Sequence, residues 1–276
     1  MLDCAGKALD LSVPRVMGVL NVTPDSFSDG GRHLAPDAAV AQARLMVEEG
    51  AAVIDVGGES TRPGAAPVPE GEELRRIIPV IETLAGELPG VVVSIDTRKP
   101  AVMRAAVAAG AGMINDVFAL REEGALAAAV DLQVPVCLMH MRGEPRTMQA
   151  APRYHDVVAE VKAFLAARVA ACERAGLSRD RLLIDPGVGF GKNLEHNLHL
   201  LRHLDEFTAL GLPLMVGVSR KSMIGAVLDA PVGGRLYGSI ALAALAAWQG
   251  ARLIRAHDVA ATVQAVRMAA AVAAAG

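Results

Sequence analysis

The chain has 276 residues, of which 53% are hydrophobic, 21% charged and only 3% aromatic, and its formal net charge is −3. This composition excludes a disordered chain, and the length suits one α/β barrel domain of roughly 250 residues. The near-neutral charge and scarce aromatic rings argue against nucleic acid as a partner, because phosphate binding needs clustered Lys and Arg and base stacking needs aromatic rings.

The chain shows no pattern of a membrane or secreted protein. Its mean hydropathy is +0.36, but the longest apolar stretch, Ile240–Trp248, is far shorter than the roughly 18 residues of a membrane span. The first seven residues lack the basic and apolar regions of a signal peptide. The three cysteines, Cys4, Cys137 and Cys172, are widely spaced and odd in number, which is typical of reduced, buried thiols. We therefore expect a cytoplasmic protein.

Short apolar runs alternate with Ala-rich stretches eight times along the chain. The runs have the near-continuous apolar pattern of parallel strands covered on both faces, and we predict strands at Val16–Leu20, Val53–Val56, Val91–Ile95, Met113–Asn115, Pro135–Met139, Leu182–Ile184, Leu214–Val218 and Leu253–Ala256. Helices are predicted at 37–49, 71–87, 99–109, 122–130, 156–175, 194–208, 236–249 and 258–271. The alternation, with no linker, predicts a single (β/α)8 TIM barrel over residues 1–276, with residues 1–13 as an extension that caps the barrel floor.

Polar or ionisable residues stand at the end of every predicted strand: Asn21, Asp55, Glu59, Asp96, Asn115, Asp116, His140, Asp185, Ser219, Lys221, Arg255 and His257. A single Asp or Ser in such a place is equally typical of a helix N-cap. The N-cap interpretation does not account for Lys, Arg and His, however. Because the carboxyl ends of barrel strands converge on one rim, the set predicts an active site there.

Three Gly-rich segments add to this prediction. Residues 21–31 and 57–64 are long and polar, and we interpret them as loops that close over a ligand, with an ordinary solvated turn as the alternative. Residues 187–192 resemble a phosphate-binding loop, but Pro186 replaces its first glycine and Asn193 replaces its Ser or Thr, so we reject nucleotide hydrolysis. The glycines instead suit close backbone approach to a ligand near Asp185.

Read in order, these segments resemble the dihydropteroate synthase family. The resemblance covers roughly residues 15–270 and rests on eight segments: NVTPDSFSDGG at 21–31, GGESTRPG at 57–64, IDTRKP at 95–100, INDV at 114–117, MHMRG at 139–143, DPGVGFGK at 185–192, SRKSMIG at 219–225 and RAHDV at 255–259. It implies a transferase of folate biosynthesis that joins 6-hydroxymethyl-7,8-dihydropterin pyrophosphate to p-aminobenzoate with Mg²⁺ and releases pyrophosphate. The implied site would be a target of sulfonamides.

The resemblance also implies roles for individual residues. Asp96, Asp185 and Lys221 are the expected catalytic residues. The pterin pyrophosphate would be bound by Thr61, Asp96, Asn115, Asp185, Lys221, Arg255 and His257, with Asn21 as the magnesium ligand. The p-aminobenzoate pocket would contain Arg62, Pro63, Phe190, Ser219 and Ser222. An alternative role for His257 is to orient its neighbours.

Two other functions remain open at this point. A methyltetrahydrofolate-type pterin methyltransferase module would share the pterin carboxylates but would need neither a pyrophosphate site nor Asn21. A non-catalytic pterin-binding barrel would keep the pocket without turnover. The resemblance further implies a homodimer, in which the Ala-rich helices near 236–249 and 258–271 would pack against a second copy.

Overall fold

The computed structural model describes residues 1–23, 34–60, 64–144 and 147–275. Its strands are β1 Leu2–Cys4, β2 Lys7–Leu9, β3 Arg15–Asn21, β4 Val53–Gly57, β5 Val92–Asp96, β6 Met113–Asp116, β7 Val136–Met139, β8 Leu182–Asp185, β9 Leu214–Gly217 and β10 Ala251–Ala256. Its helices are α1 Leu34–Glu48, α2 Glu70–Glu87, α3 Pro100–Ala108, α4 Ala125–Leu132, α5 Val157–Arg174, α6 Leu194–Arg202, α7 Asp205–Thr208, α8 Ser222–Leu228, α9 Leu236–Trp248 and α10 Val259–Ala273.

Strands β3 to β10 pair in parallel and close into a barrel, with β10 completing the ring against β3. Helices lie between consecutive strands of the ring. The predicted (β/α)8 TIM barrel is therefore confirmed. Each predicted strand agrees with an observed strand to within two residues at either end.

Two helical regions differ from the prediction. The helix predicted at 194–208 is divided into α6 and α7, because the side chain of Gln249 donates to Leu201 O and accepts from Leu204 N, and thereby replaces helical hydrogen bonds at the break. Helix α8 was not predicted. It has only seven residues, and the left-handed Asp229 (φ 50°) ends it.

The first residues form a hairpin beneath the barrel. Strands β1 and β2 pair antiparallel. The hairpin side chains Leu2, Cys4 and Leu9 pack in one cluster with side chains from all eight barrel strands. The fit is close, because a Cβ on Gly112 would lie only 2.5 Å from the carbonyl oxygen of Cys4. The hairpin thus closes the lower end of the barrel with apolar side chains.

The barrel interior changes from apolar to polar along its axis. Alternate residues of a strand face the same side, so on β5 the side chains of Val92, Ser94 and Asp96 all point inward. Val92 belongs to the apolar cluster at the floor, whereas Asp96 is at the carboxyl end. The buried polar groups therefore gather at the upper mouth. In the described part of the chain, no helix is both long and apolar enough to cross a membrane.

Candidate active site

Strand register places four of the strand-end residues side by side. Asn21 on β3 is in register with Gly57 on β4, Gly57 with Asp96 on β5, and Asp96 with Asn115 on β6. Gly57 lies between Asn21 and Asp96, since a Cβ built there would be 3.8 Å from both Asn21 Oδ1 and Asp96 Oδ2. Asn21, Asp96 and Asn115 therefore lie along one side of the mouth, as the strand positions predicted.

Arg255 on β10 reaches across the mouth to two carboxylates. Its Nε donates to Asp55 Oδ2 at 2.6 Å, and its Nη2 donates to Asp96 Oδ2 at 2.8 Å. Asn115 Nδ2 donates to the same Asp55 oxygen at 3.0 Å. Asp55, which the sequence analysis noted at a strand end without giving it a role, is thus the common anchor of two predicted binding residues. The sequence does contain a sign of this role, because Asp55 is an acid inside an otherwise apolar strand.

Four buried polar atoms at this mouth have no hydrogen-bond partner among the described residues. They are Asp55 Oδ1, Ser94 Oγ, Asp96 Oδ1 and Asn115 Oδ1, and we call them the open polar atoms. A buried polar atom without a partner costs about 1–3 kcal/mol. Each such atom calls for a partner from outside the protein, either ordered water or a polar ligand.

Burial also shifts the pKa values of the carboxylates. It raises the pKa of Asp96 from its ordinary value to about 7; Arg255 opposes this rise and Asp55 adds to it. Burial likewise raises the pKa of Asp185, although the N–H of Gly187 and the charge of Lys221 act against the rise. Carboxylates with raised pKa values in a cleft are typical of functional sites.

The opposite side of the mouth carries Asp185, Lys221 and Phe190. Asp185 at the end of β8 accepts from Gly187 N at 2.7 Å. The ammonium of Lys221 donates to Val188 O and lies 4.5 Å from the centroid of the Phe190 ring, in the range of a cation–π contact. Burial lowers the pKa of Lys221 to about 8, with Asp185 opposing the change. A cation, a carboxylate and an aromatic face therefore share one wall.

Ser219 and His257 form a pair beside Lys221. Ser219 Oγ lies 3.0 Å from His257 Nδ1 and accepts from His257 N at 3.1 Å. Ser219 is predicted in the p-aminobenzoate pocket and His257 in the pterin pyrophosphate site, and their contact would make these two predicted pockets adjacent. Ser222 is the exposed first residue of α8. The intervening Arg220 has a φ of +58° and binds Asp258 through two hydrogen bonds, which fixes this turn.

Other strand-end residues have structural partners. Asp116 accepts from the backbone N–H groups of Phe118 and Leu120, so it stabilises a turn. Glu59 pairs with Lys99, which also contacts Glu73. The predicted binding residues Thr61, Arg62 and Pro63 lie outside the described residues.

The donor set around Asn21 fits a magnesium ion that takes most of its ligands from elsewhere. Within the described residues, no group of three His, Cys, Asp or Glu side chains is arranged to hold a metal. The Asn21 amide oxygen nevertheless lies at the mouth near Asp96. Mg²⁺ usually keeps several waters and binds one or two protein oxygens together with substrate phosphates. One amide oxygen is compatible with that mode.

Comparison with known proteins decides the family. A family model described as pterin binding enzyme matches residues 17–257. The chain is 56% identical over 267 residues to the dihydropteroate synthase of Escherichia coli K12, covering 97% of this chain and 94% of that protein. The chain belongs to the dihydropteroate synthase family. It is 53% identical to the family member of Haemophilus influenzae over 256 residues, which cover 93% of each chain. The enzyme is therefore a transferase of folate synthesis.

Solved structures of the dihydropteroate synthase family agree with this assignment. A Xanthomonas albilineans dihydropteroate synthase with 4-aminobenzoic acid matches with a TM-score of 0.94 and 56% identity, over 100% of this chain and 98% of that one. A structure of the same enzyme in complex with 7,8-dihydropteroate matches with a TM-score of 0.91 and 54% identity, over 100% and 99% of the two chains. A Yersinia pestis dihydropteroate synthase in a sulfonamide drug complex matches with a TM-score of 0.95 and 51% identity, over 99% of both chains.

Proposed function

We propose that this enzyme joins 6-hydroxymethyl-7,8-dihydropterin pyrophosphate to p-aminobenzoate. The bond between the pterin methylene carbon and the pyrophosphate oxygen breaks, a bond from that carbon to the amine nitrogen forms, and the amine loses a proton. The products are 7,8-dihydropteroate and pyrophosphate. The observation that carries the proposal is the set of open polar atoms beside Arg255, since a pterin would satisfy them while Arg255 would meet the leaving group.

The pterin ring presents an edge of N–H donors and carbonyl and ring-nitrogen acceptors. Asp96 Oδ1 and Asn115 Oδ1, both buried at the mouth, would accept from the N–H donors of this edge. Asp185 on the opposite wall would accept a further donor, and the ammonium of Lys221 would donate to the ring carbonyl or to the N5 side. A buried site built in this way discriminates strongly against rings that lack the same edge.

Cationic groups at the rim would bind the pyrophosphate. Arg255 has five N–H donors, and its bonds to Asp55 and Asp96 use two of them, so further donors remain for phosphate oxygens. His257 supplies a second donor. Asn21 would hold Mg²⁺ with the phosphate oxygens and waters, and the metal would neutralise the charge that develops on the leaving group.

The p-aminobenzoate pocket would lie on the side of Phe190 and Lys221. The Phe190 ring provides an apolar wall for the benzene ring, and the adjacent Lys221 adds positive charge. Ser219 and Ser222 would donate hydrogen bonds to the carboxylate of the substrate. Arg62 and Pro63, which follow β4 in the sequence, would complete the pocket in this proposal, while Thr61 would complete the pterin pyrophosphate site.

The proposed course is SN1-like and ordered, with the pterin bound first. Departure of pyrophosphate leaves a resonance-stabilised pterin cation, which the carboxylates of Asp96 and Asp185 face. Arg255 and His257 face the developing negative charge of the leaving group. Preplaced charges of this kind stabilise a transition state because they need no reorganisation during the reaction. The neutral amine of p-aminobenzoate then attacks the cation.

Product analysis tests the proposal. The enzyme is incubated with the pterin pyrophosphate, p-aminobenzoate and Mg²⁺, and the products are identified by mass spectrometry. We expect 7,8-dihydropteroate, and trapping of the cation by an added nucleophile in the absence of p-aminobenzoate. Methyl transfer from methyltetrahydrofolate without dihydropteroate would instead show the methyltransferase alternative. Strict dependence of C–O cleavage on p-aminobenzoate, with no trapped product, would contradict the SN1-like course.

We further propose that the enzyme acts as a homodimer in the cytoplasm. Large apolar side chains are exposed on the last two helices: Leu245 and Trp248 on α9, and Met268 and Val272 on α10. A second copy would cover them. The three cysteines are free and buried, which is compatible with a reducing compartment. Sedimentation at micromolar concentration would give twice the chain mass of 28.6 kDa, whereas a monomer would refute the dimer.

A further inference from the structure

Lys192 has an unusual environment for a lysine. Its side chain is only 2% exposed and is among the largest fully buried side chains of the protein. Its ammonium lies 2.9 Å from His140 Nδ1, 2.9 Å from Gly187 O and 3.0 Å from Phe190 O. These three acceptors match the three N–H donors of an ammonium. Lysine is rarely buried unless it is paired, so this arrangement calls for a specific role.

The segment that contains Lys192 is held almost entirely by side chains. Each of the six consecutive carbonyl oxygens from residue 187 to residue 192 accepts a hydrogen bond from a side chain. The donors are Lys192 for residues 187 and 190, Lys221 for 188, Gln149 for 189, Tyr154 for 191 and Asn197 for 192. Regular secondary structure would satisfy such carbonyls with backbone N–H groups. Here side-chain donors bind every one of these oxygens, and a single backbone bond within the segment, from Phe190 N to Gly187 O at 3.0 Å, adds to them.

Glycines allow this segment to lie directly on its neighbours. A Cβ on Gly187 would be 1.9 Å from the carbonyl oxygen of His140, and one on Gly191 would be 2.3 Å from the carbonyl oxygen of Arg142. Both glycines have positive φ values, 67° and 64°. The segment therefore packs against the backbone that follows β7. Movement of residues 140–142 would displace it.

Two residues of the proposed p-aminobenzoate pocket depend on this segment. Phe190 lies within it, and its carbonyl oxygen is bound by Lys192. Lys221 donates to Val188 O and lies over the Phe190 ring. The carboxylate of Asp96 and the carboxamide of Asn115, both on the pterin side, stand on β5 and β6, away from this segment, whereas Asp185 contacts it through Gly187 N. Because two of the three pterin groups are independent of the segment and Phe190 lies within it, a change at Lys192 should affect p-aminobenzoate more than the pterin.

We infer that the buried Lys192–His140 pair is a positioning device for p-aminobenzoate: it fixes the backbone that carries Phe190 and supports Lys221, without contacting substrate. This inference rests on the proposed function, because it assigns Phe190 to the p-aminobenzoate pocket. Lys192 is thus a positioning residue rather than a catalytic one.

The charges around the pair agree with this role. Burial, together with the nearby charges of Lys192 and Arg142, lowers the pKa of His140 to about 2, so the imidazole is neutral and its Nδ1 can accept a hydrogen bond. Burial also lowers the pKa of Lys192, with Asp185 opposing the change and Lys221 and Arg142 adding to it. The neutral His140 ring is therefore the acceptor, while the three acceptors around Lys192 Nζ, rather than its pKa, indicate that Lys192 is the donor.

Steady-state kinetics of Lys192→Met tests the inference. The variant keeps the apolar stem and removes the three N–H donors. We expect the KM for p-aminobenzoate to rise about tenfold while the KM for the pterin pyrophosphate stays within about threefold of the wild type, and we expect kcat to fall as well, because Lys221 loses part of its support. Lys162→Met, at an ion pair on α5, is the matched control and should leave all three constants unchanged. Equal effects on both substrates, or an unchanged KM for p-aminobenzoate, would overturn the inference.

A pair of His140 variants tests the positioning role of the Lys192–His140 pair if Lys192→Met does not fold. His140→Leu removes the acceptor, whereas His140→Asn offers an amide oxygen close to the place of Nδ1. We expect His140→Leu to raise the KM for p-aminobenzoate and His140→Asn to keep it within about twofold of the wild type. Identical behaviour of the two variants would contradict a positioning role. Absence of dihydropteroate from the wild type would instead contradict the proposed function itself.

Discussion

Arg255 Nε lies 2.6 Å from Oδ2 of Asp55, a carboxylate that is completely buried inside the barrel. The same oxygen accepts from Asn115 at 3.0 Å. Asp55 thus links Arg255 on β10 to Asn115 on β6, the residues proposed to meet the leaving group and the pterin. Asp55 is in register with Ser94, one layer below Asp96, so it supports the binding residues from beneath.

The first prediction concerns this support. Asp55→Asn preserves the shape of the side chain but removes the charge that holds Arg255. We expect a loss of about 2 kcal/mol of transition-state stabilisation, the scale of a hydrogen bond to a charged group. The measurement is kcat/KM for the pterin pyrophosphate. Asp131→Asn, in an exposed ion pair with Arg104, serves as the control, and equal rates for the two variants would refute the assigned role of Asp55.

Lys221→Ala should impair the chemical step. The variant removes a preplaced cation from the wall that also carries Asp185. We expect kcat/KM to fall by an amount equivalent to about 2–4 kcal/mol of transition-state stabilisation, as for removal of one preplaced donor in an active site. The measurement is kcat/KM of the purified variant, with Lys162→Ala as the control. A near-wild-type rate would remove Lys221 from the catalytic residues.

The pH dependence of the reaction should report the same lysine. Burial lowers the pKa of Lys221 to about 8, so its ammonium is present below that pH and is lost as the pH rises through it. The value of kcat/KM reports groups of the free enzyme, and we expect it to fall on the alkaline side with an apparent pKa near 8. Lys221→Arg keeps its charge at high pH and should shift this alkaline fall in kcat/KM to higher pH. An alkaline limb unchanged by the substitution would show that another group titrates.

Asn21→Ala should raise the Mg²⁺ concentration that the reaction needs. If Asn21 supplies the protein ligand, the Mg²⁺ concentration for half-maximal rate should rise about tenfold, since each lost ligand weakens the site and few are present. The KM for p-aminobenzoate should not change. Activity is measured during titration of a metal-free sample, with Thr83→Ala at an exposed position on α2 as the control. An unaltered Mg²⁺ titration would exclude Asn21 as the ligand.

Gly187→Ala should destabilise the protein. An added Cβ at this position would lie 1.9 Å from the carbonyl oxygen of His140, with φ at 67°. We expect the free energy of unfolding to fall by about 3 kcal/mol or more, because both the contact and the backbone conformation are unfavourable. Gly90→Ala is the matched control, since nothing described lies within 4 Å of a Cβ there. Urea denaturation of the two variants gives the comparison, and equal stabilities would contradict this prediction.

Much of the fold was predictable because the strands are short, apolar and evenly distributed. The same pattern placed Asn21, Asp96, Asn115, Asp185 and Arg255 at strand ends, and a closed parallel barrel brings such ends to one rim. The division between α6 and α7 was not predictable from local sequence. It depends on Gln249, which follows the last residue of α9 and is 45 residues from Leu204.

Parts of the site were also hidden from sequence reasoning. Asp55 was visible as an acid in an apolar strand, but its contacts with Arg255 and Asn115 connect residues 200 and 60 positions apart. Lys192 was interpreted only as the lysine of a rejected phosphate-binding motif. Its burial depends on His140 at the end of another strand, 52 residues away, and no local pattern predicts that contact. Pairings over such distances are set by the closed barrel.

The most direct test of the central claim is a time course of pyrophosphate release from the pterin pyrophosphate with Mg²⁺, measured beside dihydropteroate formation with and without p-aminobenzoate. The account predicts faster release when p-aminobenzoate is added, equimolar dihydropteroate, and loss of both signals in Asp96→Ala. Tight binding of the pterin with no pyrophosphate release under either condition would contradict it.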